Sequence, residues 1–432
     1  MNVADSQRVG SALEHLGFQF TGSAEEADVI VLNTCVVRQS AEDKAYGRLH
    51  SLKPLKASHP GLVINLMGCL VGIRNDEKLR ARFPFVDVFS PPSDPGPLVS
   101  FLTQGEAQAL EASRTSDLYA ALDGDQATLP GMELLPEHER GRTVSVHVPV
   151  VLGCSHACTF CIIPSKRGGE RSRPEAEILA EVRSLVTQGV KEVTLLGQIV
   201  DRYGKDIAGS AGLPGLLRDL QQVEGLERIR FLTSHPNYFS HELMETVAAL
   251  PKVMPHIEIP IQAGDDEVLK QMRRGYTQAD YRNIVSKIRE KLPDGSIATD
   301  IIVGFPGETE AQFMETYRLL EDLRIDSAHL ARYSPRPGTV SERNLPNNVP
   351  EEEKMRRFRV LEDLQEKIVG EINASLLGRK VEVLFEEKVR GRWRGRTPTN
   401  KLVFVESEDD LRGKVLPVTI TWTGPWSMQA RV

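Results

Sequence analysis

The chain has 432 residues, 40% of them hydrophobic and 26% charged, with 34 Gly and 26 Pro, proportions that exclude collagen-like and wholly disordered chains. Lys and Arg number 53 against 60 Asp and Glu, a formal net charge of −7, so no global cationic field marks the chain for nucleic acid and any such binding must come from a local patch. At about 150 residues per domain the length predicts roughly three domains, each able to bury its own core.

No apolar run approaches the roughly 20 residues that span a bilayer, and MNVADSQRVG has neither a charged n-region nor an apolar h-region, so a cytoplasmic protein is expected; a monomer is expected as well. The five cysteines fall as two isolated ones, Cys35 and Cys69, and a tight group, Cys154, Cys158 and Cys161. That distribution does not suit a disulfide framework; it suits thiolates held for a metal or for catalysis.

In chain order, an amphipathic helix over Ser6–Leu16 precedes an apolar strand at Asp28–Leu32, a polar helix around Ser40–Leu52 and a second strand at Leu62–Met67. This alternation predicts an α/β domain with short parallel strands. Cys35 in VIVLNTC and Cys69 in VINLMGC each follow a strand directly, which puts both on loops at the carboxyl edge of the sheet, where ligands bind in such folds. SPPSDPGP breaks the pattern, a helical stretch near Leu98–Leu122 follows, and LPGMELLPEHERGR reads as linker. From Thr143 to about Tyr333 strands near Val144–Leu152, Val193–Leu196, Ile229–Leu232, Ile257–Ile261, Ile297–Val303 and Ser327–Arg332 alternate with helices such as Pro174–Gln188 and Tyr281–Lys291. About six βα units predict a parallel barrel or part-barrel with its site on the loops at the strand carboxyl ends. A charged helix over Glu351–Leu377 leads to a Gly-punctuated, β-rich end with runs at Lys380–Phe385, Lys401–Val405 and Lys414–Thr421, which suits a small β-barrel.

Cys154-Ser-His-Ala-Cys158-Thr-Phe-Cys161 is a CxxxCxxC on the loop after the first strand of the βα series. Three closely spaced thiolates hold three irons of a 4Fe-4S cluster and leave the fourth open. An open iron chelates S-adenosylmethionine, whose one-electron cleavage yields a 5′-deoxyadenosyl radical. A structural zinc with His156 as fourth ligand is the alternative, although zinc spacings normally pair a CxxC with a second, distant pair. Phe160, before the third cysteine, is placed to lie against an adenine or simply to pack. Gln198, Ser234, Gln262, Asp300 and Gly304 stand at the barrel strand ends and are the candidate cofactor contacts, each equally readable as part of an ordinary βα turn. Arg171, Ser172 and Arg173 read either as anion ligands or as the cap of the helix that begins at Pro174.

Residues 378–432 carry 11 Lys or Arg against 7 Asp or Glu, a basic module on an otherwise acidic chain, which suits RNA held through phosphates. Arg390, Arg392, Arg394 and Arg396 alternate around Trp393, so on a strand the arginines share one face with Trp393 on the other. Arg392, Arg394, Arg396 and Lys401 are the candidate RNA contacts, and Trp393, Trp422 and Trp426 are read either as stacking platforms or as core.

Taken together, MNVADSQ, ADVIVLNTCVVRQSAEDK, NLMGC, GCSHACTFCIIPSKRGGERSRP, TDIIVGFPGETEAQF and GRTPTNKLVFVE resemble, nearly end to end, the radical-SAM methylthiotransferases, and most closely the branch that makes 2-methylthio-N6-isopentenyladenosine in tRNA. The resemblance implies a Rossmann-like α/β amino-terminal domain over 1–105, a linker over 106–139, a radical-SAM (β/α)6 part-barrel over 140–372 and a carboxy-terminal TRAM β-barrel over 373–432 that holds RNA. It implies tRNA as substrate, two 4Fe-4S clusters, two S-adenosylmethionine molecules per turnover and a flavodoxin- or ferredoxin-like reductant. On that map Cys154, Cys158 and Cys161 match the radical-SAM ligands, while Cys35 and Cys69 match two of three ligands of an auxiliary, sulfur-carrying cluster. The family's third auxiliary cysteine lies just before the segment that aligns with Met1-Asn2. Three expectations compete: a start further upstream, a substitute ligand such as His59 or a water, or no auxiliary cluster. The rival functions are methylthiolation of threonylcarbamoyladenosine in tRNA or of a ribosomal-protein aspartate, and a non-catalytic iron-sulfur RNA-binding role.

Overall fold

The structure, a computed structural model, describes residues 1–73, 77–103 and 133–432. The last three-quarters of the helix expected over Leu98–Leu122, and the expected linker up to residue 132, lie outside the described residues; the part seen is a helix over Gly96–Thr103. The chain divides into two compact units. One holds residues 1–140, 147–156 and 161–188, and the other 141–146, 157–160 and 189–432.

The first unit is built on three parallel strands, β1 (Val29–Thr34), β2 (Val63–Gly68) and β3 (Val88–Ser90), in that order. Apolar Leu49 and Leu52 of the helix Gln39–Ser58 bury against Ile64, Leu66 and Phe83, which is what forces that helix onto the sheet. Each such side chain contributes about 1.5–3 kcal/mol by leaving water. Both sheet cysteines follow a strand end, as expected, and Gly68 explains how the two ends approach. At φ +100 it adopts a conformation that L residues rarely take, and a Cβ there would sit 2.5 Å from the Thr34 carbonyl oxygen. His59 ends the helix that runs back to the start of β2, which sets it at the amino-terminal edge, opposite the cysteines, with its Nδ1 on Ser58 Oγ at 3.0 Å.

Strand β4 (Ser145–Pro149) carries the chain from one unit to the other, and β5 (Val151–Leu152) pairs antiparallel with β6 (Arg171–Ser172), closing the base of the cysteine loop. Of the triplet expected to bind an anion or cap a helix, Arg173 is buried: its Nη1 meets Glu181 Oε2 at 2.6 Å and the Pro149 carbonyl oxygen at 2.8 Å. Arg8 meets the same carboxylate at 2.9 Å. Burial would raise the Glu181 carboxyl, but Arg173 and Arg8 outweigh it and hold it below the ordinary range.

In the second unit β7 (Glu192–Leu196) and β8 (Arg228–Leu232) pair in parallel, as do β9 (His256–Glu258), β10 (Ser296–Val303) and β11 (Ser327–Arg332). The Ser234 N–H donates to the Glu258 carbonyl at 3.1 Å and joins the two sets into one run of parallel strands. Ile229, Phe231, Ile257, Ile301 and Val303 are fully buried along it. A 24-residue helix, Glu351–Ala374, leads to β12 (Lys380–Val389), β13 (Arg392–Arg396), β14 (Leu402–Val405), β15 (Val415–Thr423) and β16 (Met428–Arg431), which close as a barrel in the order β12-β13-β14-β16-β15. Closure leaves no strand edge unpaired. Its core is Val383, Phe385, Trp393, Val403, Val418, Ile420 and Met428.

The turn between β13 and β14 anchors this barrel on the amino-terminal ends of the parallel strands. Arg228, first residue of β8, donates to the Arg396 carbonyl at 2.8 Å, and Arg230 donates to the Thr397 and Pro398 carbonyls, both at 2.8 Å. Ser296, first residue of β10, donates to the Thr399 carbonyl at 2.9 Å. His256 bridges Ser296 Oγ at 2.7 Å and Asn400 Nδ2 at 3.3 Å, and burial followed by the nearby Arg230 charge pushes it down to about 3, so it is neutral. Arg230 also forms a fully buried pair with Glu192 at 2.9 Å.

Removing one partner of a buried pair leaves the other charge uncompensated, at about 3–5 kcal/mol. Arg230→Met is therefore expected to lower the thermal midpoint of the second unit and to speed proteolytic cleavage between Ala374 and Lys380. Arg230→Met with Glu192→Leu recovers part of the loss in a double-mutant cycle.

Candidate iron-sulfur and S-adenosylmethionine site

Cys154, Cys158 and Cys161 occupy the loop between β5 and β6. Cys154 and Cys161 belong to the first unit and Cys158 to the second. In the first unit the Cys154 N–H is taken by the Gly168 carbonyl at 3.0 Å, and the His156 N–H donates to Cys154 Sγ at 3.4 Å. Gly153, at φ +69, lets the chain pass against Gly169, whose carbonyl oxygen a Cβ would strike.

In the second unit Thr159 pins the middle of the loop: its hydroxyl donates to the Gln271 carbonyl at 2.9 Å, its N–H to the Met272 carbonyl at 3.2 Å, and its own carbonyl accepts from Ser341 at 2.9 Å. Arg274 Nη1 donates to Cys158 Sγ at 3.3 Å, its Nη2 to the Pro260 carbonyl at 3.2 Å and its Nε to Tyr276 Oη at 2.8 Å. The Tyr276 hydroxyl in turn donates to the Ile261 carbonyl at 2.7 Å. A charged N–H donor on a cysteine sulfur suits an iron-sulfur ligand, since hydrogen bonds to the sulfurs tune a cluster. Sequence reasoning missed both residues, because nothing in MRRGYT marks the contact.

The strand-end candidates form a connected rim in the second unit. Thr233 Oγ1 donates to the Gly197 carbonyl at 2.6 Å, next to Gln198; the His235 N–H, beside Ser234, donates to Asp201 Oδ2 at 2.9 Å; and the Gln262 N–H donates to the Asp300 carbonyl at 2.9 Å. Thr233 at φ 66 and Gln262 at φ 77 are non-glycine residues in the left-handed region, a strain that clusters at functional rims. Ser234 is 3% exposed and its hydroxyl has no hydrogen-bond partner among the described residues, an orphaned donor at the edge where a ligand belongs. Gly304 does a structural job: its N–H donates to Glu308 Oε2 at 2.6 Å, and Arg357 Nη1 meets the same oxygen at 2.8 Å. Phe160 is half-buried.

In the first unit Cys69 is buried and Cys35 half-buried. Arg167 Nε donates to Cys69 Sγ at 3.2 Å. Burial pushes the Cys69 thiol up, and Arg167 pulls it back.

The RNA candidates have partners of their own. Arg394 pairs with Glu387, and Arg396 meets Glu386 at 3.5 Å and Asn400 Oδ1 at 3.2 Å. Lys401 meets Asp326 at 3.4 Å, and Arg392 lies over the Phe404 ring at 5.6 Å. Arg390 is not on the strand: at φ 50 it opens the turn before β13, so only Arg392, Arg394 and Arg396 alternate with buried Trp393 and Gly395. Trp393 is 4% exposed and belongs to the core, whereas Trp422 and Trp426 are 49% and 60% exposed.

Three family models match the chain: the Radical SAM superfamily at residues 148–320, Uncharacterized protein family UPF0004 at 1–90 and the TRAM domain at 374–432. A protein of Roseiflexus sp. (strain RS-1) named tRNA-2-methylthio-N(6)-dimethylallyladenosine synthase is 46% identical over 99% of this chain and 87% of its own length. One of the same name from Dehalococcoides mccartyi (strain CBDB1) is 43% identical over 100% and 96%. The chain belongs to this family of radical SAM enzymes. Among solved structures, the radical S-adenosylmethionine methyltransferase TsrM of Kitasatospora setae shares the fold, with a TM-score of 0.56 at 15% identity over 78% of this chain and 73% of that one. As a radical SAM methylthiotransferase the chain takes a 4Fe-4S cluster and S-adenosylmethionine. Within the second unit the donors fit them: Cys158 carries an N–H donor on its sulfur, and the rim holds an orphaned hydroxyl.

On the same rim Glu258 of β9 sits opposite Ala298, two residues from Asp300 of β10, so both carboxylates face one side of the sheet. Burial, then the Asp300 charge, pushes the Glu258 carboxyl up to about 7. Between the unfolded value of 4.5 and about 7 the folded chain holds a proton that the unfolded chain has released. Stability therefore falls as pH rises through that window. Thermal midpoints measured from pH 5 to 8 are expected to decline more steeply for the native chain than for Glu258→Gln, a difference worth about 2 kcal/mol across the window.

Proposed function

We propose that this chain inserts a methylthio group at C2 of N6-isopentenyladenosine beside the anticodon of tRNA, with Cys154, Cys158 and Cys161 as the radical-SAM cluster ligands and Cys35 and Cys69 as two of the three ligands of a second, sulfur-carrying 4Fe-4S cluster. The observations that carry this reading are a CxxxCxxC sequence and a strained polar rim in the second unit, within a chain that matches its relatives nearly end to end. When bound, the cluster and S-adenosylmethionine supply the 5′-deoxyadenosyl radical.

The chain's own residues bind and orient. Arg274 stabilises the Cys158 thiolate and ties it to the Pro260–Gln262 strand end. Ser234, Gln262 and Asp300 offer the rim's polar groups to S-adenosylmethionine, and Gln198 and Phe160 flank them. RNA is held by the TRAM barrel, where exposed Trp422 and Trp426 offer faces on which bases stack, worth about 1–3 kcal/mol per base. Arg396 and Lys401 act there through the β13–β14 turn they brace. A flavodoxin- or ferredoxin-like protein is the expected electron donor, and the expected working form is a monomer in the cytoplasm.

The test is nucleoside mass spectrometry of tRNA from a strain lacking its own methylthiotransferase and expressing this chain. 2-Methylthio-N6-isopentenyladenosine is expected to appear, and persistence of the precursor alone overturns the substrate assignment. In the reduced purified protein Cys158→Ala is expected to abolish 5′-deoxyadenosine formation. Cys69→Ala is expected to keep that formation within about twofold and to stop methylthiolation. Equal loss in both variants overturns the division of roles.

A further inference from the structure

We propose that the outer face of β12, β15 and β16, together with the turn Gly424–Ser427, is a binding site for an unpaired stretch of RNA, in which Trp422 and Trp426 stack on bases while Lys380 and Arg431 hold the phosphates that join them. The inference rests on the reading of the chain as a tRNA enzyme.

One extra residue builds this face. Ile420 of β15 points into the barrel core, so strict alternation sends Trp422 inward beside it. The pairing of β15 with β16 slips between the two: Ile420 lies opposite Ala430 and Trp422 opposite Gln429, which leaves Thr421 as a bulge. The slip turns Trp422 to the outside, where it is 49% exposed. The turn that follows keeps it there. A Cβ at position 424 would lie 2.5 Å from Trp422 Cη2, so glycine is what lets the indole close on the turn. The Gly424 N–H donates to the Ser427 carbonyl at 3.0 Å. Buried Asn373, in the last turn of the helix Glu351–Ala374, donates through Nδ2 to the Gly424 carbonyl at 2.8 Å and the Pro425 carbonyl at 3.1 Å. Trp426, on the same turn, is 60% exposed. Tryptophans carried on a turn pinned at its backbone are preorganised and lose little freedom when a base stacks on them.

Charge identifies the occupant. Lys380 of β12 lies opposite Thr419 of β15, and Thr419 lies opposite Arg431 of β16, so the three side chains stand in one row on the outside of the barrel. Gln429, two residues before Arg431, shares that side. Lys380 and Arg431 are exposed and make no ion pair among the described residues, whereas Arg394, Arg396 and Lys401 each have an acidic partner. Glu382, the next outward residue of β12, is taken by Arg228 at 3.0 Å. Two aromatic faces beside two uncommitted cations, with Thr419, Thr421 and Gln429 as uncharged hydrogen-bonding neighbours, match the bases and phosphates of a single strand. A paired RNA helix keeps its base faces stacked inside and gives the tryptophans nothing to bind.

The test uses the full chain and three RNAs: a short oligoadenylate, a fully paired hairpin, and tRNA from a strain lacking its own methylthiotransferase. Dissociation constants are read by fluorescence anisotropy over a range of salt concentrations, with far-UV circular dichroism to confirm the fold. Trp422→Ala and Trp426→Ala are each expected to weaken binding of oligoadenylate and tRNA about tenfold, with the salt dependence kept and hairpin binding unchanged, and Trp422→Phe to recover most of the loss. Gly424→Ala, which retains both tryptophans but displaces one, is expected to weaken the same two RNAs. Lys380→Gln and Arg431→Gln are each expected to lower the slope of log affinity against log salt by about 0.7. If both Trp→Ala variants bind oligoadenylate and tRNA within about twofold of the native chain, the proposal falls while the tRNA reading stands. Equal losses for oligoadenylate and hairpin overturn it too, because the face then senses phosphate alone, as does unchanged RNA affinity with lost self-association in sedimentation, which makes the face a contact between proteins. If the native chain does not bind the tRNA, the tRNA reading falls and takes the proposal with it.

Discussion

A cysteine sulfur placed at the buried end of a parallel strand, or on a loop above it, needs a hydrogen-bond donor that the fold must supply from within. In each unit a guanidinium does this. Arg167 reaches Cys69 in the first, and Arg274 reaches Cys158 in the second. Both arginines spend their remaining donors on backbone carbonyls or neutral side chains, and an Arg fork does so without losing its charge. The bonds fix the sulfurs against the strand ends. The tight glycines at 68 and 153 serve the same end by letting backbone approach where a Cβ would collide.

The parallel strands of the second unit give their two edges different work. At the carboxyl edge side chains are turned by positive φ at Thr233 and Gln262, and the Ser234 hydroxyl is left without a hydrogen-bond partner among the described residues. At the amino edge polar groups are consumed: Arg228, Arg230, Ser296 and His256 are all committed to carbonyls or side chains of the turn between β13 and β14. A site that must accept ligands keeps unsatisfied groups, and a joint between modules satisfies them. The unsatisfied hydroxyl and the barrel's anchoring turn thus lie at opposite ends of the same strands, and the anchoring rests on hydrogen bonds rather than on the covalent link alone.

What the sequence made legible followed from short-range rules. Spacing alone marked Cys154, Cys158 and Cys161. The strand-then-cysteine pattern marked Cys35 and Cys69, and periodicity placed the strands of both α/β regions within a few residues of where they lie. Contacts across 98 and 116 residues, Arg167 with Cys69 and Arg274 with Cys158, leave no local trace. The arginines around Trp393 show the opposite failure. Their alternation correctly predicted one buried and one open face, but charge counting could not tell that Glu386, Glu387, Asn400 and Asp326 answer Arg394, Arg396 and Lys401 from within. Exposure, not charge, separates Trp422 and Trp426 from Trp393.

Strand β9 compresses this division into three residues. His256, at its amino end, is held neutral by burial beside Arg230, because a second cation there would break the joint to the TRAM barrel. Glu258, at its carboxyl end, is held partly protonated near neutrality by burial beside Asp300. One group has been pushed down and the other up by the same low-polarity interior, and each shift removes a charge that its neighbourhood cannot neutralise. The joint tolerates this at no functional loss, since His256 acts only as a hydrogen-bond bridge. At the rim the cost is different: the raised Glu258 carboxyl makes this end of the sheet less stable as the pH rises.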